Sequence, residues 1–354
     1  MTQPSAHRFI RACFRQPVDR TPVWMMRQAG RYMPEYMAIR KQHDFITMYK
    51  TPELATEVTL QPIDILGVDA AILFSDILVV PEAMGMELQF IKGRGPVFPS
   101  PLTGEADLKT LRTENIREPL SYVTDSVTML RRELDGRVPL IGFSGAPWTL
   151  ATYMIQGSGS KSFDLAKKWR FGRPDLLHNL LDVLSDAIID YCKAQIEAGA
   201  EAIQIFDSWA GLLDPAGFRE FAVAYVKRII EAIRTPGIPI IYFAKGAMVW
   251  PEALRESGAD VLGVDWTVDL GAMRRTFGDA MALQGNLDPT ALYAGPENIR
   301  QMVRAMLDSY GDGSGHIANL GHGILPDIPV PHAQAFVTAV QEESRRYHPS
   351  TTTA

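Results

Sequence analysis

Short apolar runs alternate with stretches of helical periodicity from residue 23 to the end of the chain. The runs fall at 23–26, 70–74, 139–143, 202–206, 238–243, 261–264, 281–284 and 317–320. Strands separated by helices give parallel βα units rather than an antiparallel sandwich, and eight of them predict an α/β fold, a closed (β/α)8 TIM barrel. The intervening helices are visible too. Pro52 opens one that runs to 66, a periodic stretch covers 176–197 and stops at Ala198-Gly199-Ala200, and Pro215 opens another running to 234. The main interruption is 81–118, where Gly85, Gly93, Gly95, Pro96, Pro99 and Pro101 predict an irregular insertion after the second strand, placed to cover the barrel mouth. No repeat, low-complexity segment or linker divides the chain, so 1–354 is expected to be a single barrel domain, with a flexible N-terminal segment and a disordered tail over about 348–354.

With 354 residues and 46% hydrophobic content, the chain has enough material for a large core. Cys13 and Cys192 are the only cysteines, too few and too far apart for a disulfide framework or a multi-cysteine metal site. They predict a reducing, cytoplasmic setting. No apolar run approaches the ~20 residues of a membrane span, so the expectation is a soluble protein without a membrane partner.

Charge is distributed unevenly. The chain carries a net −6, yet 21–41 holds Arg27, Arg31, Arg40 and Lys41 against the single carboxylate of Glu35. A local reversal of sign without a broad basic face favours an anionic small molecule over nucleic acid. Within this stretch, P-V-W-M-M-R-Q-A-G-R reads as a strand ending in two arginines around a glycine, a loop that delivers guanidinium groups to a cavity.

In such a barrel the active site lies at the C-terminal ends of the strands. The residues found there are Arg27 and Arg31, Ser75 and Asp76, Ser144, Asp207 and Ser208, Lys245, Asp265, Asn286 and His322. Asp76 stands out because A-I-L-F-S-D-I-L-V-V sets one carboxylate among apolar residues, where it needs donors: backbone N–H groups that it caps, or N–H groups of a ligand. His322 sits between Gly321 and Gly323, which let the backbone approach a ligand closely. Lys245, in Y-F-A-K-G, is placed either for a Schiff base or for pairing with carboxylates. Trp148, Tyr153, Trp209 and Phe243 lie near the same strand ends, and most of them are expected to pack in the core; Tyr153 differs in having a hydroxyl to place. No zinc motif, nucleophile elbow, P-loop or dinucleotide fingerprint occurs, so no metal and no nucleotide cofactor is expected.

P-V-W-M-M-R-Q-A-G-R, G-F-S-G-A-P-W-T-L-A-T-Y-M, F-D-S-W-A-G, F-A-K-G, Q-G-N-L-D-P and N-L-G-H-G together resemble the uroporphyrinogen decarboxylase family over nearly the whole chain. The resemblance implies a cofactor-free (β/α)8 carboxy-lyase of porphyrin and heme biosynthesis, usually a homodimer. Such an enzyme converts the four acetate arms of uroporphyrinogen III to methyls, giving coproporphyrinogen III. It implies a substrate site made of Arg27, Gln28, Ala29, Gly30, Arg31, Asp76, Tyr153, Ser208 and His322, with Asp76, Arg27 and Tyr153 catalytic. In this scheme the arginines take carboxylates, Asp76 accepts the pyrrole N–H groups and steadies the cation formed on ring protonation, and Arg27 is the proton donor. Trp209 and Gln156 depart from some relatives, which have histidine and glutamate there, and neither is given an acid or base role. Two alternatives stand beside this one: a corrinoid-dependent methyltransferase of the same barrel, which would use zinc on histidine and cysteine ligands in a pattern that Cys13 and Cys192 do not supply, and a non-catalytic tetrapyrrole-binding protein, which would keep the arginines but against which Asp76 and Tyr153 argue.

Overall fold

Parallel strands covered on both faces need apolar residues at every position rather than at alternate ones. The central strands meet this requirement. In the computed structural model, which describes residues 7–278 and 280–348, every residue of β4 (Leu140–Gly145) and β6 (Ile240–Ala244) is buried. With β1 (Ala71–Ile72), β5 (Ala202–Asp207), β7 (Val261–Gly263), β8 (Ala282–Gln284) and β9 (His316–Ile317) they form one curled parallel sheet, ordered β1-β4-β5-β6-β7-β8-β9. Its register sets Ile141 beside Ala202, Ile203 beside Ile240 and Ile241 beside Val261. Each of these strands overlaps one of the apolar runs.

The first run, 23–26, behaves differently. It makes only an isolated bridge from Val23 to Ala318, not the expected strand. The reason lies in who takes its backbone groups. Pro22 has no N–H, the Val23 N–H goes to Asp69 Oδ2 at 2.9 Å, and the Met26 N–H goes to Asn319 Oδ1 at 3.0 Å, so side chains replace ladder partners. Asp69 is itself held by Arg20 through two bonds of 2.7 Å and by Arg8 at 3.0 Å, while its N–H reaches the Val23 carbonyl at 2.7 Å. The 22–24 segment is thereby tied to β9 on one side and to the approach to β1 on the other.

Helices follow the strands much as the periodicity predicts. They include Pro52–Leu66 and Pro174–Ala198, each with proline in its first turn, where the missing N–H costs nothing. The helix opened by Pro215 continues through a π-turn at Arg219–Val223 to Ile233. The insertion is more ordered than predicted: it contains an antiparallel hairpin of β2 (Gln89–Ile91) and β3 (Gly95–Val97), separate from the main sheet. Arg8–Cys13 is a helix that buries Phe9, Ala12 and Cys13. The expected flexible N-terminal segment before residue 7 lies outside the described residues. The expected disordered tail lies outside them from 349 onward, and His348 meets the Thr21 hydroxyl at 3.0 Å. Among the described residues no helix is long and apolar enough to cross a membrane.

Inside the sheet, Trp24 Nε1 donates to Gln284 Oε1 at 2.8 Å and Gln284 passes a longer contact of 3.4 Å to Gln204. This buried polar row lies beneath the cavity that Trp24 helps to line.

Candidate active site

A cavity of about 1200 Å³ opens at the C-terminal ends of the strands, above the ~300–1,000 Å³ usual for drug-sized ligands. Its wall comes from the 24–45 segment, the chain following β1, the ends of β4, β5 and β6, the β2–β3 hairpin, and His322. Arg27, Gln28, Ala29, Arg31, Asp76, Tyr153, Ser208 and His322 all reach it.

Gly30 does not reach the wall, and its part is to shape the loop. With Gln28 at φ 55° and Gly30 at φ 92°, the chain turns sharply enough for the Gly30 N–H to bond the Arg27 carbonyl at 3.0 Å. A Cβ at Gly30 would stand 3.3 Å from Arg27 Nη2, so glycine leaves the guanidinium its place.

Arg27 is 4% exposed and has no carboxylate partner among the described residues. Its Nη1 donates to the Val58 carbonyl at 3.0 Å and its Nη2 to the Ala29 carbonyl at 3.3 Å, while the guanidinium lies 5.1 Å over the Phe74 ring. Nε has no partner. Burial pulls its pKa down to about 10, so at neutral pH it stays a cation without a counter-ion.

Asp76 shows the opposite sign with the same lack of partners. One Leu78 N–H bonds Oδ1 at 2.8 Å, against the four or so acceptor sites of a carboxylate. The group lies deep in the fold but is partly open to the cavity, and burial raises its pKa to about 6, with nearby Glu82 adding to the rise. No other carboxylate lines the cavity, whereas six basic side chains do: Arg27, Arg31, Arg40, Lys92, Arg94 and Lys245. None of the six is ion-paired among the described residues. Arginines on the outer surface commonly are, as with Arg117 to Asp190 and Glu197 or Arg228 to Asp182 and Asp186.

His322 is neutral at physiological pH, its pKa lowered to about 4 by burial and by the Lys245 charge. Gln28 Nε2 stands 3.5 Å from its Nδ1. The glycines beside it are required by the protein's own packing. A Cβ at Gly321 would fall 2.4 Å from the Trp266 backbone nitrogen, and one at Gly323 would fall 2.1 Å from the Gln28 side chain. Tyr153, on the helix Pro147–Gln156, stands edge-on to Phe163 and Trp209 at 5.5 and 6.3 Å, and burial raises its pKa.

Four other strand-end polar residues turn out to be structural. Ser144 is buried and bonds the Gly145 carbonyl. Asp207 is bonded by the hydroxyls of Thr149 at 2.6 Å and Tyr242 at 3.0 Å. Asp265 takes the N–H groups of Gly246 and Thr267 at 2.7 and 2.9 Å, and Asn286 bonds the carbonyls of Asp265 and Val268. Lys245 does reach the cavity, 5.7 Å from the Trp266 ring. Sequence reasoning counted Arg40 in the basic stretch without placing it on the wall, and missed Lys92 and Arg94. The signal for Lys92 and Arg94 was K-G-R-G, two cations on a glycine turn after Phe90-Ile91. Among the described residues no group of three His, Cys, Asp or Glu stands close enough to hold a metal ion.

Comparison with known proteins bears on this arrangement. The family model "Uroporphyrinogen decarboxylase (URO-D)" matches residues 4–343. Uroporphyrinogen decarboxylase of Hydrogenovibrio crunogenus is 51% identical over 353 residues, covering 98% of this chain and 100% of that protein. That of Hahella chejuensis is 52% identical, covering 98% and 99%. Among solved structures, a methyltransferase from Methanosarcina mazei superposes with a TM-score of 0.78 at 23% identity, over 95% of this chain and 97% of the other, a likeness of fold alone.

Proposed function

Because the chain belongs to the uroporphyrinogen decarboxylase family, we propose that its cavity binds uroporphyrinogen and removes carbon dioxide from the four acetate arms, with Asp76 as the central catalytic group. The protein is a carboxy-lyase. One observation carries the assignment of the site: a single carboxylate with unused acceptor capacity sits in a cavity whose six cations have no carboxylate partners among the described residues. The substrate matches in sign and in layout. Eight peripheral carboxylates meet the basic wall, and four inward pyrrole N–H groups meet Asp76.

The chemistry needs no external electron sink. Protonation of the pyrrole carbon next to the one bearing the acetate arm makes an iminium cation. The carbon–carbon bond to the carboxylate then breaks, carbon dioxide leaves, and its electron pair neutralises the ring as an exocyclic methylene. A proton added to the methylene and one lost from the ring carbon complete the methyl group, so each arm consumes one proton and releases one carbon dioxide. Asp76 steadies the cation, an interaction far stronger in a water-poor cavity than in bulk water. Arg27 is assigned as the proton donor, a role supported by its burial and its lowered pKa. Arg31, Gln28, Ser208 and His322 position the macrocycle, Gly30 shapes their loop, and Tyr153 stands beside the reacting ring.

Pro22–Trp24 is proposed as the eighth stave of a closed (β/α)8 barrel, supported by its bonds to Ala318 and Asp69, with 1–354 as one domain. A homodimer is proposed from the family resemblance, and a cytoplasmic setting from the two unpaired, buried thiols of Cys13 and Cys192. Anaerobic incubation with reduced uroporphyrinogen, followed by separation of products by carboxyl number, tests the function. Stepwise appearance of seven- to four-carboxylate products supports it; unchanged substrate leaves only a tetrapyrrole-binding protein.

A further inference from the structure

We propose that the tip of the β2–β3 hairpin is a second carboxylate-recognition element: Lys92 and Arg94 hold peripheral carboxylates of the substrate, and their contribution to affinity grows with the number of carboxylates the macrocycle still carries. This rests on the bound anion being the eight-carboxylate tetrapyrrole proposed above.

The hairpin is built to present its tip. Gln89 pairs with Val97, Phe90 with Pro96 and Ile91 with Gly95, which leaves Lys92, Gly93 and Arg94 as a three-residue turn closed by the Arg94 N–H on the Ile91 carbonyl at 3.0 Å. Its base is fixed. Val97 bridges Ser158, the Phe98 N–H bonds the Gly157 carbonyl at 2.8 Å, and Phe90 stands edge-on to Phe45 at 4.8 Å. Phe45 in turn meets Phe74 at 5.6 Å, the ring over which Arg27 lies, so packed aromatic rings link the hairpin to the buried arginine.

Lys92 and Arg94 line the cavity, are exposed, and have no carboxylate partner among the described residues. The nearby hairpin acid, Glu87, already accepts from Gln89 Nε2 at 2.6 Å. Ile91 lines the cavity as well while remaining 40% exposed, an apolar contact left open on the same face. Exposed cations attract through water and are screened by salt, so they adjust affinity between similar anions, whereas the buried Arg27 fixes one group in place. The substrate loses half of its eight carboxylates during the reaction while the wall keeps its charge. Attraction to the hairpin therefore weakens at each step, which favours binding of early species and release of the final one.

The test uses full-length enzyme and its K92Q/R94Q variant. KM and kcat are measured anaerobically at low and high salt for the eight-carboxylate substrate and for the five-carboxylate intermediate. For the double variant, KM is expected to rise about tenfold with the former and about threefold or less with the latter, with kcat changed less than twofold and a shallower salt dependence of KM. K92R/R94K, which keeps both charges, restores the wild-type pattern. Unchanged KM, equal rises for both substrates, or a fall in kcat larger than the rise in KM overturns the proposal. If the double variant misfolds, K92Q and R94Q singly are each held to the same inequality between substrates. Wild-type enzyme run alongside separates the two readings: if it fails to consume uroporphyrinogen the proposed function falls, and if it succeeds while the variant matches it only the hairpin role falls.

Discussion

Asp76 follows β1 and Asp207 ends β5, two strands of one sheet with β4 between them, and burial raises the pKa of both to about 6, yet they are used in opposite ways. Asp207 turns into the protein, where the hydroxyls of Thr149 and Tyr242 satisfy it and lock β5 to β6 and to the helix Pro147–Gln156. Asp76 faces the cavity with one backbone N–H. A raised pKa therefore does not distinguish a working carboxylate from a structural one. Unused acceptor capacity does, because a buried group left short of partners keeps its interaction energy for a ligand.

The largest effect should come from Asp76→Asn, which keeps the shape and removes the charge. Turnover of uroporphyrinogen is expected to fall about 10²- to 10³-fold, with a thermal midpoint equal to or above wild type because a buried charge is gone. Near-normal turnover would remove Asp76 from its assigned role. Arg27→Ala should lower kcat/KM about ten- to a hundredfold through both constants. If KM alone changes, Arg27 positions the substrate and another group supplies the proton. Acidification should act through the Asp76 carboxyl: below about pH 6 it is neutral and cannot steady a cation, so kcat/KM should fall about tenfold per pH unit, a limb absent from Asp76→Asn. Stability runs the other way. A carboxyl whose folded pKa is raised favours folding below its ordinary pKa, and that contribution is lost as pH rises through about 6. Tyr242→Phe should have the smallest effect on turnover, within about twofold, while denaturant unfolding shows about 1–3 kcal/mol lost because Asp207 is left short of a donor. A turnover defect as large as that of Asp76→Asn would erase the contrast between the two aspartates.

Much of this was legible in the sequence because parallel βα units carry a strong local signature, and seven of the eight apolar runs overlap strands of the main sheet. The 23–26 run was misjudged because hydropathy does not reveal that Asp69 and Asn319, distant in sequence, take the N–H groups of Val23 and Met26. The same limit applies to the strand ends. Ser144, Asp207, Asp265 and Asn286 are indistinguishable in pattern from Asp76 and Ser208, and only their partners separate them. Glycines around His322 signalled close approach correctly, but not that the approaching groups were Trp266 and Gln28. Lys92 and Arg94 were lost within a glycine- and proline-rich insertion that has no periodicity to read.

Asp69 has a consequence that reaches beyond the place where it sits. The neighbouring strands of the sheet are joined backbone to backbone over two or more residue pairs, while the chain leading to Arg27 is fastened to the approach to β1 largely by this one carboxylate and the arginines that grip it. A substitution there would strand the buried Arg20 without its counter-charge, at a cost of about 3–5 kcal/mol, and loosen the chain that presents the guanidinium groups while the sheet keeps its own ladders. A lesion outside the cavity would then masquerade as a defect in chemistry.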